Sequence, residues 1–318
     1  MKLSTALTTK IMNTQSLQDK VVIVTGAGGG VGRGVAIELA KEGAKVVVND
    51  LGVSLNGDQE KLSAAQEVVN EITTMGGYAI ANTNSVSEWE SAQSIIDAAI
   101  QAFGRLDGVV NSAGILRDSI FHKMTPGDFE SVIKVHLFGA FNMSRAAAVH
   151  FREQGGGALV HMTSTSGLIG SVGQANYAAA KLGIVGLSRS IAMDMARFGV
   201  RSNCIAPHAF SRMIESVPGL SPEEQEKYLE KRRQTTRPEQ IAPLAAFLCS
   251  DSAQSISGQI FGARGNEIYL YSQPRPTRTL HRSEGWSVAS IANTLPHAFK
   301  SSFTPMERTK DVISWEAM

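Results

Sequence analysis

The sequence predicts an α/β protein: a single doubly wound domain with a parallel sheet and a C-terminal extension. Three observations predict it. Runs such as VVIVT (21–25) and KVVVN (45–49) are apolar almost throughout, with no polar alternation. Helix-like stretches separate them, and the first run opens directly into a glycine-rich turn. A strand that is apolar at every position is buried on both faces, and a βαβ order supplies the covering helices.

The elements follow in that order. VVIVT leads into a helical stretch ending near Glu42, and KVVVN starts the next unit. YAIAN (78–82), GVVN (108–111), ALVHMTS (158–164) and RSNCIA (201–206) repeat the strand theme. Helical patterns are expected at 60–74, 88–103, 127–152 and 175–198. The alternation runs unbroken to about residue 262, so one domain is expected over 18–262. Residues 1–17 read as a disordered lead-in, with Met12 an alternative start. Residues 263–318 read as an extension. Its YSQPRPTRTLHR segment suits an extended arm, and Trp286, Phe299, Phe303 and Trp315 are anchors for packing on its own or a neighbouring subunit.

Of 318 residues, 43% are hydrophobic and 19% charged, which suits a globular protein with a sizeable core. A net charge of +1 argues against a nucleic-acid or membrane-surface partner. Two cysteines make no disulfide framework, no uncharged apolar run reaches membrane-spanning length, and MKLSTALTTKI lacks a signal core. A cytoplasmic protein without a metal is expected.

The first turn carries cofactor chemistry. In VVIVTGAGGGVGRG, Gly26, Gly30 and Gly32 stand with Val31 where a strand becomes a helix. Glycine permits positive φ and close approach of the backbone to a pyrophosphate seated on the helix N-terminus. Asp50 ends the second strand, where a carboxylate accepts hydrogen bonds from ribose hydroxyls and repels a 2′-phosphate. No Lys or Arg directly precedes Gly30, so NAD is expected over NADP. Further along, QANYAAAKLG sets Tyr177 and Lys181 four positions apart, on one face of a helix. Taken alone, that pair is an ordinary packed tyrosine beside a solvated lysine.

TGAGGGVG, NSAG (111–114), the serine of HMTSTSG and YAAAK stand in one order and resemble the short-chain dehydrogenase/reductase family over residues 18–262. That resemblance implies a Rossmann-type fold and NAD-linked oxidation of an alcohol. Tyr177 becomes the general acid/base, Lys181 its activator and Ser164, thirteen residues before Tyr177, the group that orients the substrate oxygen. A phenol titrates near ~10, and an adjacent ammonium and a cationic nicotinamide bring it toward neutral pH. The resemblance also places Asn111, Asn84, Ser85 and Pro207 on the cofactor. His136 stands where most members carry an Asn that holds a proton-relay water, so it is a candidate relay residue, though a structural histidine fits as well. Oligomerisation as a homodimer or homotetramer, through the helices at 127–152 and 175–198, is implied too.

VVVNDLG, GILRDSIF, VHLFGAF and GQANYAAAKLG resemble more closely the (3R)-hydroxyacyl-CoA dehydrogenase group of multifunctional enzyme type 2. The expected substrate is therefore a bulky apolar secondary alcohol, first a 3-hydroxyacyl-CoA and next a hydroxysteroid. A catalytically silent NAD-binding sensor or scaffold is the alternative of another class. A lid is expected over 207–236, with Phe210, Met213, Ile214, Val217 and Leu220 as its apolar side. Ser211 or Arg212 would replace the family's carboxamide-contacting threonine. Arg212 and the arginines at 275, 278 and 282 would meet a CoA phosphate.

Overall fold

The computed structural model describes residues 15–52, 64–209 and 221–315. Among these, the strands are β1 (Val21–Thr25), β2 (Lys45–Asn49), β3 (Tyr78–Asn82), β4 (Gly108–Asn111), β5 (Gly157–Met162), β6 (Val200–His208), β7 (Ile260–Arg264) and β8 (Glu267–Leu270). They form one sheet in the order β3-β2-β1-β4-β5-β6-β7-β8. Neighbours are parallel from β3 through β7, and β8 runs antiparallel to β7. The helices are α1 (Gly30–Lys41), α2 (Ala64–Thr74), α3 (Trp89–Phe103), α4 (Pro126–Ile133), α5 (Gly139–Gln154), α6 (Thr165–Leu168), α7 (Ala175–Asp194), α8 (Pro222–Thr235), α9 (Ala242–Cys249), α10 (Val288–Phe299) and α11 (Thr309–Val312).

Alternate residues of each strand serve opposite faces. Val22, Val24, Val46, Val48 and Val160 pack against Val35 and Leu39 of α1 and Leu244 and Leu248 of α9. Val21, Ile23, Val47, Val109 and Leu159 pack against Ile95 and Ile96 of α3 and Met143 and Phe151 of α5. That double cover is why these strands read as continuous apolar runs. From β1 the chain proceeds outward to β2 and β3, then returns to place β4 on the other side of β1. The crevice at that reversal, beyond the carboxyl ends of the strands, is where ligands sit in such sheets.

Four expected boundaries shift. The lead-in ends earlier than residue 17: Leu17 is fully buried, and its N–H donates to the Glu42 carbonyl at 2.9 Å. Its side chain joins the core on the α1 face of the sheet. The helix expected over 127–152 is two helices, joined by a π-helical turn at Lys134–Phe138. The extra residue in such a turn re-aims its side chains, and here His136 is turned inward and buried. The helix expected to reach 198 ends at Asp194, with a 3₁₀ turn at Ala196–Phe198 closed by Gly199 at φ 70°. Finally, the sheet passes residue 262: β7 runs to Arg264, and the extension contributes β8.

The rest of the extension folds back along the same chain. Trp315 Nε1 donates to Glu267 Oε1 at 2.9 Å, and its ring meets Tyr269 edge-on at 6.1 Å. Arg278 donates to the Ala298 carbonyl at 3.2 Å. Of the expected lid, residues 210–220 lie outside the described residues, and these include Phe210, Ser211, Arg212, Met213, Ile214, Val217 and Leu220. The first residues of the helix expected at 60–74 lie outside them as well.

Candidate active site

The glycine turn is built by close approach. Gly26 sits at φ 65°, and a Cβ there would come within 2.7 Å of the Ala113 Cα. A Cβ at Gly32 would lie 2.2 Å from the Gly26 carbonyl oxygen. Gly30, at φ 52°, has nothing within 4 Å of such a Cβ, so what it keeps clear is the cavity in front of the turn. The N-terminus of α1 receives no side-chain cap. Its free amide groups and positive dipole end therefore face that cavity, which fits the pyrophosphate of a dinucleotide. Thr25 braces the turn from below, its Oγ1 accepting from the amides of Ser112 and Ala113 at 3.1 Å each.

Asp50 lines the cavity beside the glycine turn. One carboxylate oxygen accepts from the Gly28 amide at 2.7 Å and the other from Gly52 at 2.8 Å. The carboxylate thus holds the turn and keeps further lone pairs for a ribose. Asn49, which the sequence reading passed over, orders the same corner: its Nδ2 donates to Asn82 Oδ1 and to the Asn84 carbonyl, both at 2.9 Å. Asn84 and Ser85 line the cavity beyond it.

At the opposite end the catalytic candidates meet. Ser164 begins α6, and its Oγ accepts from the Ser166 amide at 3.1 Å. That leaves its hydroxyl proton free, and Ser164 and Tyr177 line the same cavity. Lys181 Nζ lies 5.5 Å from the Tyr177 ring centre and donates to the Met162 carbonyl at 2.7 Å. Burial, first among the causes, pushes Tyr177 up to about 12, while the Ser164 hydrogen bond works against it and the Asp118 charge adds to it. Burial pushes Lys181 down to about 7. Desolvation disfavours whichever form is charged, so phenol and amine move in opposite directions.

His136 touches Tyr177 edge-on, ring centres 5.2 Å apart. Its Nε2 lies 2.8 Å from the Ile115 carbonyl and 3.1 Å from the Ile115 amide, and it donates to one or accepts from the other according to tautomer. Burial, then the Lys181 charge, holds the imidazole well below its ordinary value, so it is neutral. Gly114 is the counterpart of this ring: a Cβ there would come within 2.2 Å of it.

One cavity of about 590 Å³ joins these groups. Gly26, Gly30, Val31, Gly32, Asp50, Asn84, Ser85, His136, Ser164, Tyr177, Lys181 and Pro207 all line it. Asn111 does not. Strand parity turns its side chain to the α5 side, where Nδ2 bonds His161 Nδ1 at 3.1 Å and Ser144 Oγ at 3.4 Å. The expected contact of Asn111 with the cofactor is therefore corrected. It faces instead a cavity of about 10 Å³ shared with Thr25, His136 and Lys181, where Asn111 Oδ1 and His136 Nδ1 have no protein partner. The arginines at 275, 278 and 282 are exposed on the extension, away from the cavity. Unforeseen cavity residues are Ser166 and Gln174 on the substrate side.

The family model described as enoyl-(acyl carrier protein) reductase matches residues 26–265. A short-chain type dehydrogenase/reductase of Mycobacterium tuberculosis is 48% identical over 235 residues, covering 74% of this chain and 79% of its own. Hydroxyacyl-CoA dehydrogenase ChsB1 of the same organism is 37% identical over 300 residues, 90% of each chain. Mouse peroxisomal multifunctional enzyme type 2 is 44% identical over 239 residues, covering 75% of this chain, which spans only 31% of that enzyme. Among solved structures, a 7α-hydroxysteroid dehydrogenase complexed with NADH and 7-oxo glycochenodeoxycholic acid superposes with a TM-score of 0.70 at 33% identity. It covers 80% of this chain and 96% of its own.

The chain belongs to the short-chain dehydrogenase/reductase family. It is an oxidoreductase acting on CH–OH groups, with a nicotinamide cofactor. Among the described residues, no helix is long and apolar enough to cross a membrane.

Proposed function

We propose that this enzyme uses NAD to interconvert a bulky apolar secondary alcohol and its ketone, foremost a 3-hydroxyacyl-CoA. The observation that carries this reading is the continuous cavity, with an uncapped helix N-terminus and Asp50 at one end and Ser164, Tyr177 and Lys181 at the other. Bound there, nicotinamide supplies the hydride acceptor for the carbinol carbon. The residues supply the proton chemistry. Tyr177 Oη takes the alcohol proton, and Ser164 Oγ donates to the oxygen as charge develops on it. With burial raising Tyr177 to about 12, the phenolate needs added positive charge nearby, so proton transfer is coupled to cofactor binding. Lys181, held by the Met162 carbonyl and 5.5 Å from the Tyr177 ring centre, would hydrogen-bond the nicotinamide ribose of a bound cofactor. His136 takes a relay role as a neutral donor and acceptor, across the small cavity that has room for about one water.

The resemblance to ChsB1 and multifunctional enzyme type 2 supports the acyl-CoA substrate, and the steroid-bound structural relative supports a hydroxysteroid as second reading. Asp50 favours NAD by repelling a 2′-phosphate. Exposed Phe141, Val149, Leu182 and Met193 on α5 and α7 support a homodimer or homotetramer, and a cytoplasmic location is the matching proposal. The test is initial-rate screening with NAD and NADP against both 3-hydroxyacyl-CoA enantiomers, a hydroxysteroid panel and small cyclic alcohols. Turnover of long 3-hydroxyacyl-CoA with NAD is the expected result. Activity confined to small polar alcohols would overturn the substrate assignment, and tight NADH binding with no turnover at all would mark a silent sensor.

A further inference from the structure

The strand end that carries Ser164 also holds Lys181, and grips that residue at both ends. The carbonyl of Met162, the last residue of β5, accepts from Lys181 Nζ at 2.7 Å. Thr163, the next residue, donates from Oγ1 to the main-chain carbonyl of Lys181 at 2.6 Å. Ser164 follows directly and begins α6. Three residues further on, Gly167 is pressed against α7. A Cβ there would lie 2.8 Å from the Leu182 amide nitrogen and 3.0 Å from the Ala178 carbonyl oxygen. Met162, Thr163 and Lys181 are all buried.

A carbonyl only accepts, so the Thr163 hydroxyl spends its proton on Lys181. The carbonyl oxygen has two lone pairs, so this bond takes nothing from the helix. A lysine stem has four rotatable bonds, and its ammonium keeps one place only where both ends of the stem are held. Here consecutive residues hold them, and Ser164 is the residue after those two. The ammonium is thereby referred to the same short piece of backbone as the Ser164 hydroxyl. Tyr177 lies about one helical turn before Lys181, so a fixed backbone at Lys181 fixes the phenol as well. The Thr163 amide donates to the Ile205 carbonyl at 2.8 Å, which keeps the strand end in the sheet whether or not the hydroxyl is present.

We propose that Thr163 is a positioning residue whose hydroxyl fixes Lys181, and with it Tyr177, against the strand end that carries Ser164. The inference rests on the proposed alcohol-oxidising role of those three residues. Thr163 is assigned no contact with substrate or cofactor; it acts through Lys181. Gly167, by its missing side chain, lets α6 close on the same turn of α7.

The test compares Thr163→Val, Thr163→Ser and Thr163→Ala with the natural protein. Val keeps the branched shape and removes the hydroxyl, Ser keeps the hydroxyl, and Ala has neither. With the best alcohol, kcat is expected to fall roughly fivefold in Thr163→Val, the scale of one buried hydrogen bond, and to recover to within about twofold in Thr163→Ser. A less firmly held ammonium favours the phenolate less. The acid limb of the kcat–pH profile for oxidation should therefore move to higher pH in Thr163→Val, by about half a unit. A role in folding alone would lower Tm and leave that limb in place, which would overturn the proposal. A Ser variant no better than Val would overturn it too, as would a loss confined to NADH affinity. If Thr163→Val does not fold, Ser and Ala decide: Ser is expected to be near natural with Ala slower and shifted, and equal behaviour of the two overturns the proposal. If the natural protein turns over no alcohol, the proposed function fails and this inference fails with it; if it does, the variants decide this inference alone.

Discussion

The two ends of the cavity are built by different means. At the glycine-turn end the geometry is almost all backbone: glycines pressed to 2.2–2.7 Å of neighbouring atoms if given a Cβ, a bare helix N-terminus, and Asp50 holding the Gly28 and Gly52 amides. At the Ser–Tyr–Lys end it is side chain on side chain, drawn from segments as far apart as Asp118 and Gln174, 56 residues distant. Backbone packing tolerates almost no substitution, whereas a side-chain network fails by degrees. The glycine-turn end is rigid in that sense, and the Ser–Tyr–Lys end adjustable.

The largest expected effect lies at the adjustable end. Tyr177→Phe should cut turnover by ~10²–10⁴, the range of lost general acid–base catalysis, with NADH binding by fluorescence titration nearly intact. Retention of more than about a tenth of the activity would overturn the role of Tyr177.

At the rigid end, two neighbouring glycines should separate folding from binding. Gly32→Ala forces a Cβ to 2.2 Å from a backbone oxygen and is expected to cost the fold, read as a collapse of soluble yield or Tm. Gly30→Ala meets no neighbouring atom but carries about 1–2 kcal/mol of left-handed strain and crowds the pyrophosphate. It should lower NADH affinity far more than Tm. Equal behaviour of the two would mean that Gly30 does not keep the cavity clear for a cofactor.

Asp50→Ala should narrow the preference for NAD and also loosen the turn, since the Gly28 amide loses its acceptor. The ratio of kcat/KM for NAD and NADP checks the first effect, and a natural enzyme faster with NADP would refute it.

The smallest effect is a pH slope. His161 is held at about 4 by burial and then by the Lys181 charge, below the ordinary histidine value near ~6.5. Between these values the unfolded chain binds the extra proton and the folded one does not, so stability falls as pH drops through that window. His136, also lowered, adds to it. Thermal melts from pH 7 to 4 should show the decline, and His161→Leu should flatten it.

Much of this was legible in the residues. VVIVT and KVVVN revealed buried parallel strands because a sheet covered on both faces admits no polar alternation. Tyr177 and Lys181 shared a face because four residues make about one helical turn, and Ser164 followed from its spacing to Tyr177 within the family resemblance. Asp50 could be placed because strand ends align at one edge of a parallel sheet. All these readings depend on local geometry.

What only the tertiary structure decided depends on which distant groups become neighbours. Asn111 looked like a cofactor ligand, yet the parity of β4, shared with Val109, aims it at His161 and Ser144. His136 was expected inside one long helix, as a relay or a structural histidine, and a π-helical turn carries it against Tyr177, with Gly114 left bare to admit its ring. Asp118 and Gln174 carried no signal, because a hydrogen bond between two loops leaves no period in the sequence. Local periodicity and backbone sterics are written residue by residue, so the sequence by itself determined the sheet, the glycine turn and the Tyr–Lys pair. Side-chain partners across the fold exist only once packing has brought them within about 3 Å, and so only the tertiary structure decided them.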